Sequence, residues 1–128
     1  MIEIKQENVP GKSLTKGEEQ VMQAVWQKNK AYLKDIIEAM PLPHPHSNTV
    51  ATLLKILIDK GYVKAEAAGR NNLYSAVVSK EDYSKFSMGN LVNSYFSGSF
   101  TSAVSFLVDQ KQLTVHDLEL LLNEFKKK

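Results

Sequence analysis

A short polar run in the middle of the chain carries the side chains best suited to contact nucleic acid. It consists of Asn48, Thr49, Thr52 and Lys55, whose spacing places them on one side of a helix. Amide, hydroxyl and ammonium groups hydrogen-bond to base edges and phosphates, and a threonine methyl can touch the methyl of thymine. Residues 41–54 include no acidic side chain that would repel phosphate. A solvated polar helix face has the same composition, so the neighbouring elements must decide between the two interpretations.

Further candidates flank this run on both sides. Arg70 follows Gly69 in a segment with hairpin chemistry, and a cation on a short ribbon can reach a phosphate or the minor groove. Ser47 offers a hydroxyl that caps the helix N-terminus, where exposed N–H groups attract phosphate. The predicted DNA contacts are His46, Ser47, Asn48, Thr49, Thr52, Lys55 and Arg70.

Metal binding and catalysis have much weaker support in the sequence. His44 and His46 form an H-x-H pair, but no Asp, Glu or Cys lies nearby in sequence to complete a metal site. His116 beside Asp117 fits a helix-capping turn better than a catalytic pair. The chain has no cysteine, and the motifs of phosphate loops, zinc proteases and serine hydrolases are missing. We predict no enzyme, no metal and no cofactor, and no small-molecule ligand is evident.

Capping signals and apolar periodicity define the helices that must position the polar run. Thr15 and Glu18 form a capping box that begins a first helix, and a second helix is predicted over residues 34–40, without a good cap. Three prolines in residues 41–46 interrupt the helical pattern. A third helix follows over about residues 48–60 and carries the polar run.

Two short strands follow the third helix, over residues 62–67 and 73–78, and Gly69 lies in the turn between them. Three helices and a hairpin in this order are typical of a winged helix-turn-helix domain, which we place at residues 12–78. In that setting, the polar run is better explained as a DNA-contacting face than as a solvated one.

The remaining segment, residues 79–128, is predicted to be all-helical, with caps at Ser79 and Thr114. It contains all five phenylalanines, and its apolar faces are too broad for roughly 50 residues to bury alone. A second copy of the chain is the simplest partner, so we predict a homodimer. The fold class is therefore mainly α with a small β-hairpin wing. The predicted dimerisation residues are Tyr83, Phe86, Phe96, Phe100, Val104, Leu107, Leu118, Leu121, Leu122 and Phe125.

Charge and composition fit this division of the chain. The 128 residues carry a formal net charge of +2, and all of this excess lies in residues 1–78, because residues 79–128 carry as many acids as bases. No apolar run approaches the ~18 residues of a membrane span, and the N-terminus lacks the apolar stretch of a signal peptide. We expect a cytoplasmic protein.

Several segments together match a known family. They are residues 14–22 with Trp26, residues 34–38, residues 49–63, Gly69 and Arg70 with Tyr74, and residues 100–108. In this combination the chain resembles the penicillinase repressor family (the BlaI, MecI and CopY type) over about residues 12–125. The resemblance implies a bacterial homodimeric transcriptional repressor. Its winged helix would bind a palindromic operator in double-stranded DNA, and its C-terminal helices would dimerise.

The resemblance also implies a mode of induction. In the antibiotic-responsive branch, a membrane sensor protease system leads to cleavage between an Asn and a Phe in the dimerisation helix. The corresponding bond here is Phe106–Leu107, with Phe106 in place of the Asn. The copper-responsive branch carries C-terminal cysteine pairs, which this chain lacks.

Ile56 departs from the family pattern, which usually has Arg at this position of the third helix. The absence of this arginine removes a phosphate or guanine contact. This departure and the small net charge motivate an alternative hypothesis, a winged-helix protein–protein interaction module without DNA binding.

Overall fold

The structure, a computed structural model, describes residues 9–10 and 13–127. It divides the chain into two compact units between Phe86 and Ser87. The winged helix-turn-helix architecture and the mainly helical fold class are confirmed. The elements in chain order are α1 (Lys16–Lys28), β1 (Lys30–Ala31), α2 (Leu33–Glu38), α3 (Ser47–Asp59), β2 (Val63–Ala68), β3 (Asn71–Ala76), α4 (Lys80–Tyr95), α5 (Phe100–Asp109) and α6 (Val115–Lys126).

The sheet of the first unit is antiparallel with strand order β1-β3-β2. The strand β1 was not predicted from the sequence, and its two residues pair with Ser75 and Tyr74 of β3. So short a strand leaves no periodicity to detect. The β2–β3 hairpin ends at the pair Ala68↔Asn71, so only Gly69 and Arg70 form its loop. This loop is tighter than the hairpin expected from the sequence.

The predicted capping box at the start of α1 is confirmed. The Thr15 hydroxyl accepts a hydrogen bond from the Glu18 N–H at 3.3 Å, and the Glu18 carboxylate accepts one from the Thr15 N–H at 3.1 Å. The helix α2 begins at Leu33, one residue before its predicted start, and the Asp35 carboxylate accepts a hydrogen bond from the Tyr32 N–H. The Tyr32 side chain does not cap the helix, as predicted, but the Tyr32 backbone N–H is satisfied by Asp35.

The core of the first unit fixes α3 against the other two helices. Val50, Leu54 and Leu57 of α3 are completely buried, together with side chains from α1 and α2. Their spacing places one side of α3 in the core and turns the opposite side outward. The polar run is thus positioned by the apolar residues interleaved with it.

An aromatic cluster joins the first turns of α4 to the winged helix. The ring of Tyr83 lies 5.8 Å from that of Trp26, 5.7 Å from that of Tyr62 and 6.2 Å from that of Phe86, between centroids. The Tyr83 hydroxyl donates to the Glu19 carboxylate at 2.9 Å. The pKa of Tyr62 is raised to about 12, mainly by burial and to a smaller extent by electrostatic interaction with Tyr83 and Glu18.

This cluster changes the interpretation of two predicted dimer contacts. Tyr83 and Phe86 are 8% and 5% exposed and pack in the core of their own chain. They therefore have almost no surface left for a second copy, and we remove them from the dimerisation set. Because they belong to the first unit, that unit extends into α4, beyond the boundary that composition placed near Val78.

The second unit consists of helices with exposed apolar side chains. The Ser99 hydroxyl caps α5 by accepting the Ser102 N–H at 3.1 Å, and Thr114 and Asp117 form the capping box of α6. Among the described residues, no helix is both long and apolar enough to cross a membrane. Exposed apolar residues on α5 and α6 are Val104, Phe106, Leu107, Val115, Leu120, Leu121, Leu122 and Phe125.

Gly17, in the first turn of α1, offers a simple test of packing around α3. A Cβ added at Gly17 would lie 3.8 Å from Leu53 Cδ1, which is ordinary van der Waals contact. Alanine is a better helix former than glycine by up to about 1 kcal/mol. We expect Gly17→Ala to raise the free energy of unfolding by about 0.5–1 kcal/mol in urea titrations. A destabilised variant would mean that the α1–α3 contact is tighter than described.

Candidate nucleic-acid interface

The N-terminus of α3 is capped by a histidine. His46 Nδ1 accepts a hydrogen bond from the Asn48 N–H at 3.0 Å, and the helix begins at Ser47. The prediction that Ser47 caps the helix is therefore wrong, because the chain turns into the helix one residue earlier. An accepting Nδ1 carries no proton, so the ring proton of His46 lies on Nε2, which can donate a hydrogen bond.

The predicted polar run lies together on the solvent side of α3. Asn48, Thr49, Thr52 and Lys55 are all exposed. The Thr52 hydroxyl donates to the backbone carbonyl of Asn48 at 2.9 Å. The face formed by these four residues, called here the α3 polar face, presents amide, hydroxyl, methyl and ammonium groups within three turns of one helix.

Two residues bound the α3 polar face near its C-terminal end. Asp59 is exposed and follows Lys55 by four positions, so it extends the same side of the helix with a negative charge. Asp59 was not among the predicted site residues, although its spacing from Lys55 is visible in the sequence. Ile56 is half-buried. A polyanion is consequently favoured along the N-terminal turns of α3 and repelled at the last one.

The β2–β3 loop presents the second candidate contact. Arg70 is exposed, and in the part of the chain that the structure describes no carboxylate lies within ion-pair distance of it. Gly69 has a φ of +65°, a conformation that side chains with a Cβ rarely adopt. The carboxylate of Glu66 on β2 lies 4.0 Å from Lys30 Nζ and 3.9 Å from Lys64 Nζ. Among the described residues, the hairpin therefore has an unpaired cation at its tip, whereas on β2 the charges of Lys64 and Glu66 offset each other.

A largely buried ion pair anchors the C-terminal end of α3. Lys60, the residue after α3, hydrogen-bonds to the carboxylate of Glu18 and to the Ser13 carbonyl, the latter at 3.2 Å. The side chains of Glu18 and Lys60 are 5% and 20% exposed. Burial raises the pKa of Glu18, but hydrogen bonds from Lys60 and Thr15 and the charge of Lys60 lower it by more, so it falls below its ordinary value.

The histidines and the predicted cleavage bond are the remaining candidate sites. Across residues 9–10 and 13–127, no group of three or more His, Cys, Asp or Glu side chains is arranged to hold a metal ion. His44 is exposed, and His46 uses Nδ1 for its cap. The Phe106–Leu107 bond lies inside α5, and the Phe106 ring packs 5.5 Å from that of Phe96.

Comparison with solved structures supports the fold of the first unit. The chain is similar to the solution structure of the DNA binding domain of the repressor BlaI, with a TM-score of 0.50 and 24% identity. The similarity covers 59% of this chain and 90% of the other. At this identity the likeness establishes the winged-helix fold alone.

Comparison with known sequences covers almost the whole chain. The chain is 28% identical over 116 residues to the methicillin resistance regulatory protein MecI of Staphylococcus aureus. The match covers 90% of this chain and 94% of that protein. The chain is 24% identical over 117 residues to the penicillinase repressor of Bacillus licheniformis, covering 88% and 91% of the two chains.

The sequence pattern that defines the family described as penicillinase repressor matches residues 14–127. This family consists of transcriptional repressors and not of enzymes. The match includes α1, the α3 polar face, the hairpin and the helices of the second unit. The chain therefore belongs to the penicillinase repressor family.

Proposed function

We propose that this protein is a homodimeric transcriptional repressor that binds a palindromic DNA operator through α3 and the wing. The observation that carries the proposal is the α3 polar face, whose four side chains are exposed together on a helix of a winged-helix fold. Family membership supports the same conclusion, and the BlaI domain with which the fold is shared is named for DNA binding.

The N-terminal half of α3 would lie in the major groove. The Nε2–H of His46 would donate to a phosphate, with Ser47 beside it. The N–H groups of Asn48, Thr49 and Val50 are already paired with His46. Asn48, Thr49, Thr52 and Lys55 would face base edges. The negative charge of Asp59 favours an approach in which the N-terminal end of α3 enters the groove and the C-terminal end, which carries Asp59, stays outside it.

Arg70 would contact the backbone or the minor groove beside the α3 site. We expect Arg70→Ala to weaken binding to all DNA sequences by a similar factor, because a phosphate contact carries no base information. The slope of log affinity against log salt concentration should fall by about 0.9 in magnitude. Fluorescence anisotropy with the fragment upstream of the protein's own gene and with an unrelated fragment measures both effects.

A matched control for Arg70 exists on α4. Lys85 is exposed and pairs only weakly with Glu81, at 3.9 Å, outside the proposed interface. Lys85→Ala removes the same charge and should leave the salt slope unchanged. Equal effects of the two substitutions would reject the wing contact. If the wild-type protein showed no salt-sensitive binding to the upstream fragment, the DNA-binding proposal itself would fail, and an interaction module without DNA binding would replace it.

The second unit, which begins at Ser87, would form the dimerisation segment. Supporting this are Val104, Leu107, Leu121 and Leu122, which are 38–54% exposed on helices of the second unit. A second copy of the chain would cover them, as the family resemblance implies. Two-fold symmetry then requires half-sites about one helical turn of DNA apart, or a multiple of it.

Induction by proteolysis would act on this dimer. Cleavage of the Phe106–Leu107 bond would separate α6 and the end of α5 from the DNA-binding unit. Since the bond lies within a helix, the protease must unwind α5 locally before cleaving it. A sensor protease encoded next to the repressor gene is the partner to test, by co-expression and mass analysis of the repressor fragments.

A further inference from the structure

The hydroxyl of Thr52 is already used as a donor inside α3. Its Oγ1 donates to the Asn48 carbonyl at 2.9 Å, although the side chain is exposed. A hydroxyl has one proton and two acceptor lone pairs. Thr52 therefore presents to the outside an oxygen that accepts hydrogen bonds and a methyl group, and no donor.

The position of Thr52 makes this restriction important for recognition. Asn48 and Lys55 lie on the same side of α3, four positions before it and three after it. Thr52 is thus central to the α3 polar face, whereas Lys55 contributes only donors. A base pair opposite the middle of the face meets an acceptor and a methyl from Thr52.

The four base pairs differ in how well they complement such a side chain. In the major groove an A·T pair shows the adenine N6 amino group, which donates, and the thymine methyl, which is apolar. A G·C pair likewise shows one donor, on cytosine N4, and two acceptors, but it has no methyl group. The Thr52 oxygen can therefore accept from either pair, and its methyl group gains an apolar contact only at an A·T pair.

We propose that Thr52 selects an A·T base pair in each operator half-site, accepting from adenine N6 and touching the thymine methyl. This inference rests on the proposed function and specifies the ligand of the same interface. It assigns the two groups of one side chain to two different atoms of one base pair, so each contact can be removed separately.

The test uses the DNA fragment upstream of the gene, after footprinting has located the half-sites. At each A·T pair in a half-site, uracil replaces thymine, which removes only the methyl, or purine replaces adenine, which removes only the amino group. Wild-type protein, Thr52→Val and Thr52→Ser are titrated by anisotropy. At one position, both replacements should weaken wild-type binding by roughly three- to tenfold, the size of one such contact.

The two variants should respond in opposite ways at that position. Thr52→Val keeps a methyl but has no acceptor, so it should lose its sensitivity to purine and keep its sensitivity to uracil. Thr52→Ser keeps the acceptor and should show the reverse. Ser84→Ala removes an exposed hydroxyl of α4 that donates to the Lys80 carbonyl in the same way, outside the proposed interface, and it should respond as the wild type does. Melting temperatures check that each variant is folded.

The possible failures are distinguishable. If the wild-type protein binds the operator but no A·T pair shows a dependence on Thr52, the inference is wrong and the proposed function stands. A preference for G·C opposite Thr52 would overturn it equally. If the wild-type protein binds no fragment with salt-sensitive affinity, the proposed function fails and the inference fails with it.

Discussion

Lys60→Met is expected to lower the free energy of unfolding by about 3 kcal/mol at neutral pH. The substitution leaves the Glu18 carboxylate buried without its cation, and breaking a buried pair in this way typically costs 3–5 kcal/mol. We take the lower figure because the Lys60 side chain is 20% exposed, so water compensates part of the loss. Urea denaturation followed by circular dichroism measures the change.

The loss of stability caused by Lys60→Met should become smaller as the pH falls. The pKa of Glu18 in the folded chain lies below its ordinary value of 4.5, so the pair contributes fully above that pH. Its contribution is lost as the pH falls through the folded pKa, because protonation removes the charge that Lys60 stabilises. The stability difference between the wild type and Lys60→Met should therefore be largest near neutral pH and shrink as the pH falls. It shrinks first as Glu18 takes up a proton in the variant, because burial without Lys60 raises the pKa of that carboxyl.

Lys85→Met provides the matched control for this prediction. Lys85 and Glu81 are 63% and 82% exposed, and such pairs contribute only about 0–0.5 kcal/mol. The double substitution Glu18→Leu with Lys60→Met should recover part of the lost stability, because it removes the unpaired buried carboxylate. A Lys60→Met variant as stable as Lys85→Met would show that the Glu18 carboxylate is well solvated.

The sequence predicted most of the first unit because its signals are local. The Thr15–Glu18 capping box, the apolar positions of α3 and the glycine of the hairpin each act within a few residues. These features determine which side of α3 is exposed, and hence where the α3 polar face lies. The capping histidine escaped prediction because a Ser at the next position is the more common cap.

Long-range partners were beyond reach of the sequence. Glu18 and Lys60 each look like a surface charge, and only the packing of α1 against the end of α3 makes them a pair. Tyr83 and Phe86 have the residue types of a dimer contact, but Tyr83 packs against Trp26 and Tyr62, and Phe86 packs against Tyr83. Aromatic composition alone does not tell whether a ring packs within its own chain or against another.

Leu121→Glu is expected to convert the proposed dimer to a monomer and to weaken binding to the proposed operator by about 100-fold or more. Leu121 is 49% exposed on α6, in the segment proposed to pair with a second copy. A carboxylate there would have to be buried without a partner on dimerisation. Two linked half-site contacts gain 10²–10⁴ in avidity over one, and this gain is what the variant should lose.

The measurement combines light scattering at micromolar protein concentration with anisotropy on full-operator and half-operator DNA. Half-operator affinity should stay unchanged, because Leu121 lies outside the α3 polar face. Asn123→Glu is the control, since it introduces the same charge at an exposed polar position of the same helix. A dimeric Leu121→Glu protein with full operator affinity would exclude this part of α6 from the interface. Equal losses on both DNA fragments would instead show that the substitution disturbs the winged helix.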